Sequence, residues 1–555
     1  MASADRIQEI DSRYVETGSN WWQEVEQRVY AGENDDDSTT VSIQRKAFGS
    51  GCACQVQESV AIDIYSNQTV ATMAIDPDAK KVTRTTVYPD STNAVINVTI
   101  NGLLVSSRSK SGIITAFSCD ALGRLIGVTD PRTGTAVTHY NEKGQIDFVE
   151  DAAGNRTTYG YDSDTGRRIA VTDALTNTTY SAYDIQGRVT NTWGATYPVS
   201  YTYDDLGRMI EMRTWREESG TPDVTRWGYD EATGLLTNKS YADSSSVSYS
   251  YDLSSRLSRR TWARGVTTDY DYDSLGQLEA IGYSDSTPDV AFTYDRMGRQ
   301  LTITDALGTR TNAYDPSTLV LTEEQLPDGI KLARAYDSFG RSSGLSLEPD
   351  YSLTYGYDDL GRFSSISSSV SSASSVINYS YLPISDLIGQ ISNFQFQVSR
   401  IYEPDRNLIA SIENRFGGAL VSQFDYENDA IGWRTLRVDT LSTTNVFGYN
   451  LRSELTEANM GTNVFGYVYD SIGNRRWATN NVAVTEYLAN ELNQYTNILE
   501  GAASLTPEYD ADGNMISYGA WTFGWDAENR LIVASNGATV VQNVYDYMSR
   551  RVSKT

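Results

Sequence analysis

Tyr351-Ser-Leu-Thr-Tyr-Gly-Tyr-Asp-Asp-Leu-Gly-Arg362 joins two local signals within a few residues. From 351 to 357 the chain alternates, so positions 351, 353, 355 and 357 share one face and small polar residues take the other. A period of two marks a half-buried antiparallel strand. The segment from Asp358 to Gly361 then turns the chain. An aspartate at the first turn position accepts from a backbone N–H two residues on, and glycine supplies the positive φ needed at the exit. Arg362 stands four residues past Asp358, in reach of a charge-assisted hydrogen bond across the turn.

The same unit recurs about every 21 residues. It reads Tyr161-Asp162 with Gly166-Arg167, Tyr183-Asp184 with Gly187-Arg188, Tyr203-Asp204 with Gly207-Arg208, and Tyr294-Asp295 with Gly298-Arg299. It returns at Tyr336-Asp337 with Gly340-Arg341 and at Tyr357-Asp358 with Gly361-Arg362. The key position is Cys119 in the first clear unit, and one long step is explained by the insertion Glu217-Glu-Ser-Gly-Thr-Pro222. A second strand such as Arg124-Leu-Ile-Gly-Val-Thr129 follows each turn, and a second turn such as Asp130-Pro-Arg-Thr-Gly134 leads back. Each repeat is therefore one β-hairpin, and a fixed period of this length means a repeat architecture.

No such hairpin is stable alone. Ordering ~21 residues costs roughly 30 kcal/mol, which calls for about 1,200 Å² of apolar burial. Stacking pairs the hairpin edges and lays tyrosine on tyrosine, so the array is expected to fold only as one extended sheet. The predicted fold is all-β: stacked hairpins in a spiralling, hollow or partly open β-shell.

Along the chain, residues 1–45 form an N-terminal segment in which Ile7 to Tyr30 is read as holding a short amphipathic helix. Glu33-Asn-Asp-Asp-Asp-Ser38 follows as a solvated loop; it lacks the glycine and the twelfth-position glutamate of an EF-hand. Residues 46–105 alternate as lead-in strands, for example Val95-Ile-Asn-Val-Thr-Ile100. Regular repeats occupy 106–363 and degenerate ones 364–465, the latter opening on a serine-rich stretch that suits a flexible loop or a very polar strand pair. Clear repeats resume over 466–555, at Tyr469-Asp470, Tyr509-Asp510, Trp525-Asp526 and Tyr545-Asp546.

The chain carries 38 Tyr against 13 Phe, and its formal net charge is −27. That field repels phosphate backbones, so nucleic acid is not an expected partner. Three cysteines make no disulfide framework: Cys52 and Cys54 flank one alanine, and Cys119 is read as a buried stand-in for a repeat tyrosine. With a single histidine, His139, no metal site or cofactor is expected. No run of 18 apolar residues exists, and the start Met1-Ala-Ser-Ala-Asp5 shows no signal peptide.

The Tyr-Asp-x-x-Gly-Arg units resemble the YD repeats of the Rhs family, which includes bacterial polymorphic toxins, the shell-forming subunit of Tc toxins, and animal teneurins. The resemblance covers about residues 105–555, and Trp525-Asp-Ala-Glu-Asn-Arg-Leu531 and Tyr545-Asp-Tyr-Met-Ser-Arg-Arg-Val-Ser-Lys554 look like the last units of such arrays. It implies a shell that encloses a toxic C-terminal polypeptide or presents a surface for adhesion. The family's cleaving aspartates and toxin domain have no counterpart before Thr555, which implies a shell part truncated ahead of the core-associated segment. Its N-terminal partner-binding modules are not recognisable in residues 1–105.

Carboxylate pairs are unavoidable among 72 acids, so none marks an acid/base dyad. The repeat aspartates follow the period of the fold and are assigned to turns, and His139 to a strand; no enzyme is expected. Two non-catalytic functions follow. The chain is a scaffold that encloses and delivers a toxin polypeptide, or alternatively its tyrosine-rich sheet binds carbohydrate or another surface protein. Either role places it outside or on the surface of the cell, with its oligomeric state unspecified.

Overall fold

A computed structural model describes residues 8–17, 20–30, 38–48, 56–217, 219–347, 350–371 and 373–555. Every regular element among them is a strand, 51 in all, from Gln8–Thr17 to Arg551–Lys554. Forty-five strands form one hydrogen-bonded sheet, and the last six, from Glu508–Tyr509 onward, form a second. Thr506-Pro507 stands between them, where a proline has no N–H to give to a ladder. Successive strands pair antiparallel with their chain neighbours, as in Arg156–Tyr161 with Arg168–Thr172 and then Thr178–Tyr183.

The repeat hairpins share one irregularity at the same place. The register slips by one residue just before the key position: between Gly160 and Tyr161, Ala182 and Tyr183, Thr202 and Tyr203. The turn explains the slip. Gly187 N donates to Asp184 O at 3.1 Å and Asp184 N to Arg188 O at 3.0 Å, a tight turn closed by a left-handed residue. That extra residue forms a bulge, which tightens the local right-handed twist.

Few side chains are fully buried. Val290–Tyr294 alternates buried and exposed positions cleanly, whereas Tyr351–Tyr357 is largely half-buried on both faces. The serine-rich stretch is a strand pair: Phe363–Val370 runs against Ala373–Tyr381, with Ser368 opposite Ser375 and Ser369 opposite Ser374.

The chain divides into two compact units. The first comprises the described residues of Met1–Asn155 with Thr293–Thr302 and Thr309–Phe424. The second comprises Arg156–Phe292, Ile303–Gly308 and Asp425–Thr555. Within the first, Thr92 N donates to Asp359 O at 2.8 Å and Arg132 Nη1 to Glu403 O at 2.8 Å. Within the second, Arg216 Nη1 donates to Ala489 O and Trp262 Nε1 to Ala527 O, both at 2.8 Å. Inside each unit, then, the ribbon meets a distant stretch of itself through its turns.

The helix expected between Ile7 and Tyr30 is replaced by two long strands, Gln8–Thr17 and Asn20–Tyr30, paired from Gln8↔Val29 to Thr17↔Asn20. The charges explain the difference. Glu24 lies opposite Arg13 on one neighbour and Arg45 on the other, and takes Arg13 Nε at 2.8 Å and Arg45 Nε at 2.6 Å. A three-strand ion cluster satisfies a buried glutamate that a helix of this length would leave exposed; β-branched and aromatic residues around it favour strand as well. Met1–Asp5, Glu33–Asp37, Cys52, Cys54 and Glu218 of the lengthened turn lie outside the described residues.

Gly207 shows what the turn demands of the sequence: its φ is +84°, and its N donates to Asp204 O at 3.0 Å. Gly207→Val is expected to destabilise the fold by roughly 1–3 kcal/mol through backbone strain. Thermal melting and limited proteolysis unchanged from the parent would remove the turn assignment.

Candidate functional site

The repeated Tyr-Asp-Gly-Arg unit is the most chemically elaborate feature of the structure, and it works at two levels. The first is the turn itself. Asp204 Oδ1 accepts Leu206 N at 3.0 Å and Arg208 N at 2.9 Å, while Oδ2 accepts Arg208 Nε at 2.7 Å. Asp295 holds Met297 N, Arg299 N and Arg299 Nε in the same way. So do Asp337 toward Phe339 and Arg341, and Asp358 toward Leu360 and Arg362. One carboxylate thus satisfies two backbone donors of the turn and orients a guanidinium.

The second level couples neighbouring hairpins. The oriented arginine lies over the ring of the next key tyrosine: Arg188 over Tyr203 at 4.7 Å, Arg341 over Tyr357 and Arg362 over Tyr381 at 4.0 Å. That tyrosine's hydroxyl donates to the carbonyl of the residue right after the arginine. Tyr203 reaches Val189 O at 2.9 Å, Tyr357 reaches Ser342 O at 2.8 Å, and Tyr381 reaches Phe363 O at 2.7 Å. Trp525 substitutes for tyrosine and makes the equivalent bond with its indole, Nε1 to Met515 O at 2.8 Å. The tyrosine is therefore a polar latch as well as a packing stripe. The signal was present in the sequence as the excess of 38 Tyr over 13 Phe, since phenylalanine packs equally well but cannot donate.

Units with a longer turn are built differently. Asp162 is bound by Thr165 N at 2.8 Å and Thr165 Oγ1 at 2.7 Å, and Arg167 donates instead to the next turn, Ile185 O at 2.9 Å. Thr233 and Thr318 serve Asp230 and Asp315 likewise. The threonine three residues past the aspartate, just before the left-handed Gly166, Gly234 or Leu319, is the sequence cue for this class. Where arginine is missing, another donor stands four residues on, as Asn474 to Asp470 at 2.8 Å and Asn514 to Asp510 at 3.0 Å.

Cys119 occupies the key position of its hairpin opposite Leu125 and is half-buried rather than buried. His139 sits on the strand Gly134–Tyr140, stacks on Phe148 at 4.9 Å, and places Nδ1 3.1 Å from Asp147 Oδ2. Among the described residues no cluster of three metal-ligating side chains occurs, and no helix is long and apolar enough to cross a membrane.

Tyr336 donates to Leu321 O at 3.0 Å. Tyr336→Phe is expected to cost about 0.5–1.5 kcal/mol with the fold retained. Tyr351→Phe, at a tyrosine without such a latch, is the control, and an equal loss at both positions would contradict the latch.

The turn also bears on the acidity of three of its carboxyls. The Arg256 backbone N–H and guanidinium hold Asp252 below the ordinary 3.8. Burial pushes Asp184 and Asp204 up, but the amides and guanidinia of Arg188 and Arg208 outweigh it and hold both below 3.8. A carboxyl depressed on folding contributes stability above its unfolded pKa and loses it as pH falls through the folded one. Stability against urea should therefore hold from neutral pH to near 3.8 and fall steeply below it. A decline complete before that range is reached would rule out the turn carboxylates as its cause.

A family model described as RHS Repeat matches residues 101–135, which span the hairpin of Ile114–Cys119 and Leu125–Asp130. Among solved structures, TcdB2-TccC3-TEV is similar over 96% of this chain and 31% of its own, with TM-score 0.63 and 14% identity. TcdB2-TccC3 is similar over 98% of this chain and 39% of its own, with TM-score 0.59 and 13% identity. The chain thus spans about a third of the length of these neighbours, and at such identity the likeness concerns the fold alone. No curated protein matches the sequence. The matched repeat, the recurrence of its latch along the chain and the shared fold together support an Rhs/YD-repeat family.

Proposed function

We propose that this Rhs-type scaffold is a non-catalytic part of a shell that encloses and delivers a polypeptide. The observation that carries the proposal is the use to which the repeat's chemistry is put. The Tyr, Asp and Arg side chains of the regular units turn one hairpin and clasp the next, so their polar atoms are committed to the wall. The fold shared with TcdB2-TccC3 over nearly the whole chain supports the same role, as does the resemblance of the motif to shell-forming repeats. The contact of His139 with Asp147 and its stacking on Phe148 support the non-catalytic reading. A net charge of −27 favours a basic cargo.

The test is protection. The chain is expressed together with the polypeptide encoded after residue 555 in its reading frame, and the purified product is treated with protease. The enclosed segment is expected to survive until the scaffold is unfolded, and to be cut at once when expressed alone. Equal cutting rates in the two settings, or a reading frame with nothing to enclose, would sink the proposal.

A further inference from the structure

We propose that a cleft in the second unit binds a protonated alkylamine, the chemistry of a lysine side chain or of a free amine. The cleft has a volume of about 350 Å³, within the roughly 300–1,000 Å³ of small-ligand sites. Exposed Asp285 and half-buried Asp305 line it, together with Trp525, Tyr545, Val290 and the buried Asn543.

Asn543 gives the first pointer to a ligand. It is only 7% exposed, and its Nδ2 donates to Leu531 O at 2.9 Å. Its Oδ1 is buried and accepts from no described group. Asn312 stands at the same place in its own hairpin, two residues before a key tyrosine, and makes the same bond to Gln300 O at 2.9 Å. Yet Asn312 is only half-buried, so its amide is not cut off from water. A buried amide oxygen without a donor is unfavourable, and a group bringing an N–H into the cleft would relieve it.

Charge gives the second pointer. Asp526 and Asp546, which also line the cleft, are paired with Arg530 and Arg550, both at 2.6 Å. Asp285 and Asp305 hold only backbone amides: Thr287 N for the first, Leu307 N and Tyr547 N for the second, each at 2.9 Å. Neither makes an ion pair with a described residue. Two carboxylates without a counter-charge, in a chain of net charge −27, favour a cation. A divalent metal fits poorly, since no three His, Cys, Asp or Glu side chains gather among the described residues. An alkylammonium meets each condition. Its N–H groups suit the two carboxylates and Asn543 Oδ1, and its apolar stem suits Val290 and the faces of Trp525 and Tyr545. The site does not depend on an enclosed polypeptide, so either proposal can fail without the other.

n-Butylammonium chloride is titrated into the intact chain in low-salt buffer and followed by calorimetry. Saturable binding is expected, weakened about tenfold by Asp285→Asn, which keeps an acceptor for Thr287 N and removes only the charge. Asp243→Asn, at an exposed aspartate outside the cleft, should bind as the parent does. n-Butyltrimethylammonium has the same charge but no N–H for Asn543 Oδ1, and should bind about tenfold more weakly. Ala306→Trp fills the cleft from an exposed turn position and should abolish binding; should it not fold, Asp285→Asn carries the test. An arm with acetyl-Gly-Lys-Gly-amide separates the sources: binding by this peptide admits a polypeptide lysine, and binding by butylammonium alone restricts the site to free amines. No saturable binding by the parent, equal binding of the two ammonium ions, or binding that survives Asp285→Asn unchanged overturns the proposal.

Discussion

A two-stranded hairpin has one layer and two open edges, and the carboxylate of the repeat aspartate is where this structure resolves that problem. One oxygen of Asp204 organises the turn's amides and the other fixes the Arg208 guanidinium. The fixed guanidinium lies 4.5 Å from the ring of Tyr229, whose hydroxyl returns to Met209 O at 2.9 Å. A local turn is thereby converted into a clasp between hairpins. Stability in such an array is a sum of weak units and strong neighbour terms, so each hairpin is ordered largely by the one beside it.

The clasp tolerates variation because its demands are few. It needs an acceptor at the first turn position, a donor four residues on, and a residue that accepts a left-handed backbone between them. Asn490 and Gln494 meet the first two demands without any charge, their side chains 2.9 Å apart. Asn529 meets the third with φ +57° in the unit that begins at Trp525. Units that look degenerate in sequence therefore keep the same register slip, as at Ser380/Tyr381 and Gly448/Tyr449.

The hairpins and their turns were legible in the sequence because their determinants lie within a few residues. The aspartate, the glycine and the alternating strand all act inside one repeat. The arginine's second role and the tyrosine's hydroxyl bond were less so, because each is a contact with the next repeat. The N-terminal strands were misjudged for a similar reason: Glu24 is satisfied by Arg13 and Arg45 on two different neighbours, a pairing that no helical or single-strand pattern displays.

What the chain determined by itself was its brick: a hairpin about 21 residues long, its turn chemistry and its antiparallel neighbours. Tertiary structure alone decided which distant turns touch. In the first unit Asn67 meets Ser338, 271 residues away, and in the second Tyr547 meets Asp305, 242 residues away. The repeats are too alike for any local motif to single out these partners. Strand twist, added hairpin by hairpin and increased at each bulge, sets where the ribbon returns to itself, and a sum over many units is not written in any one of them.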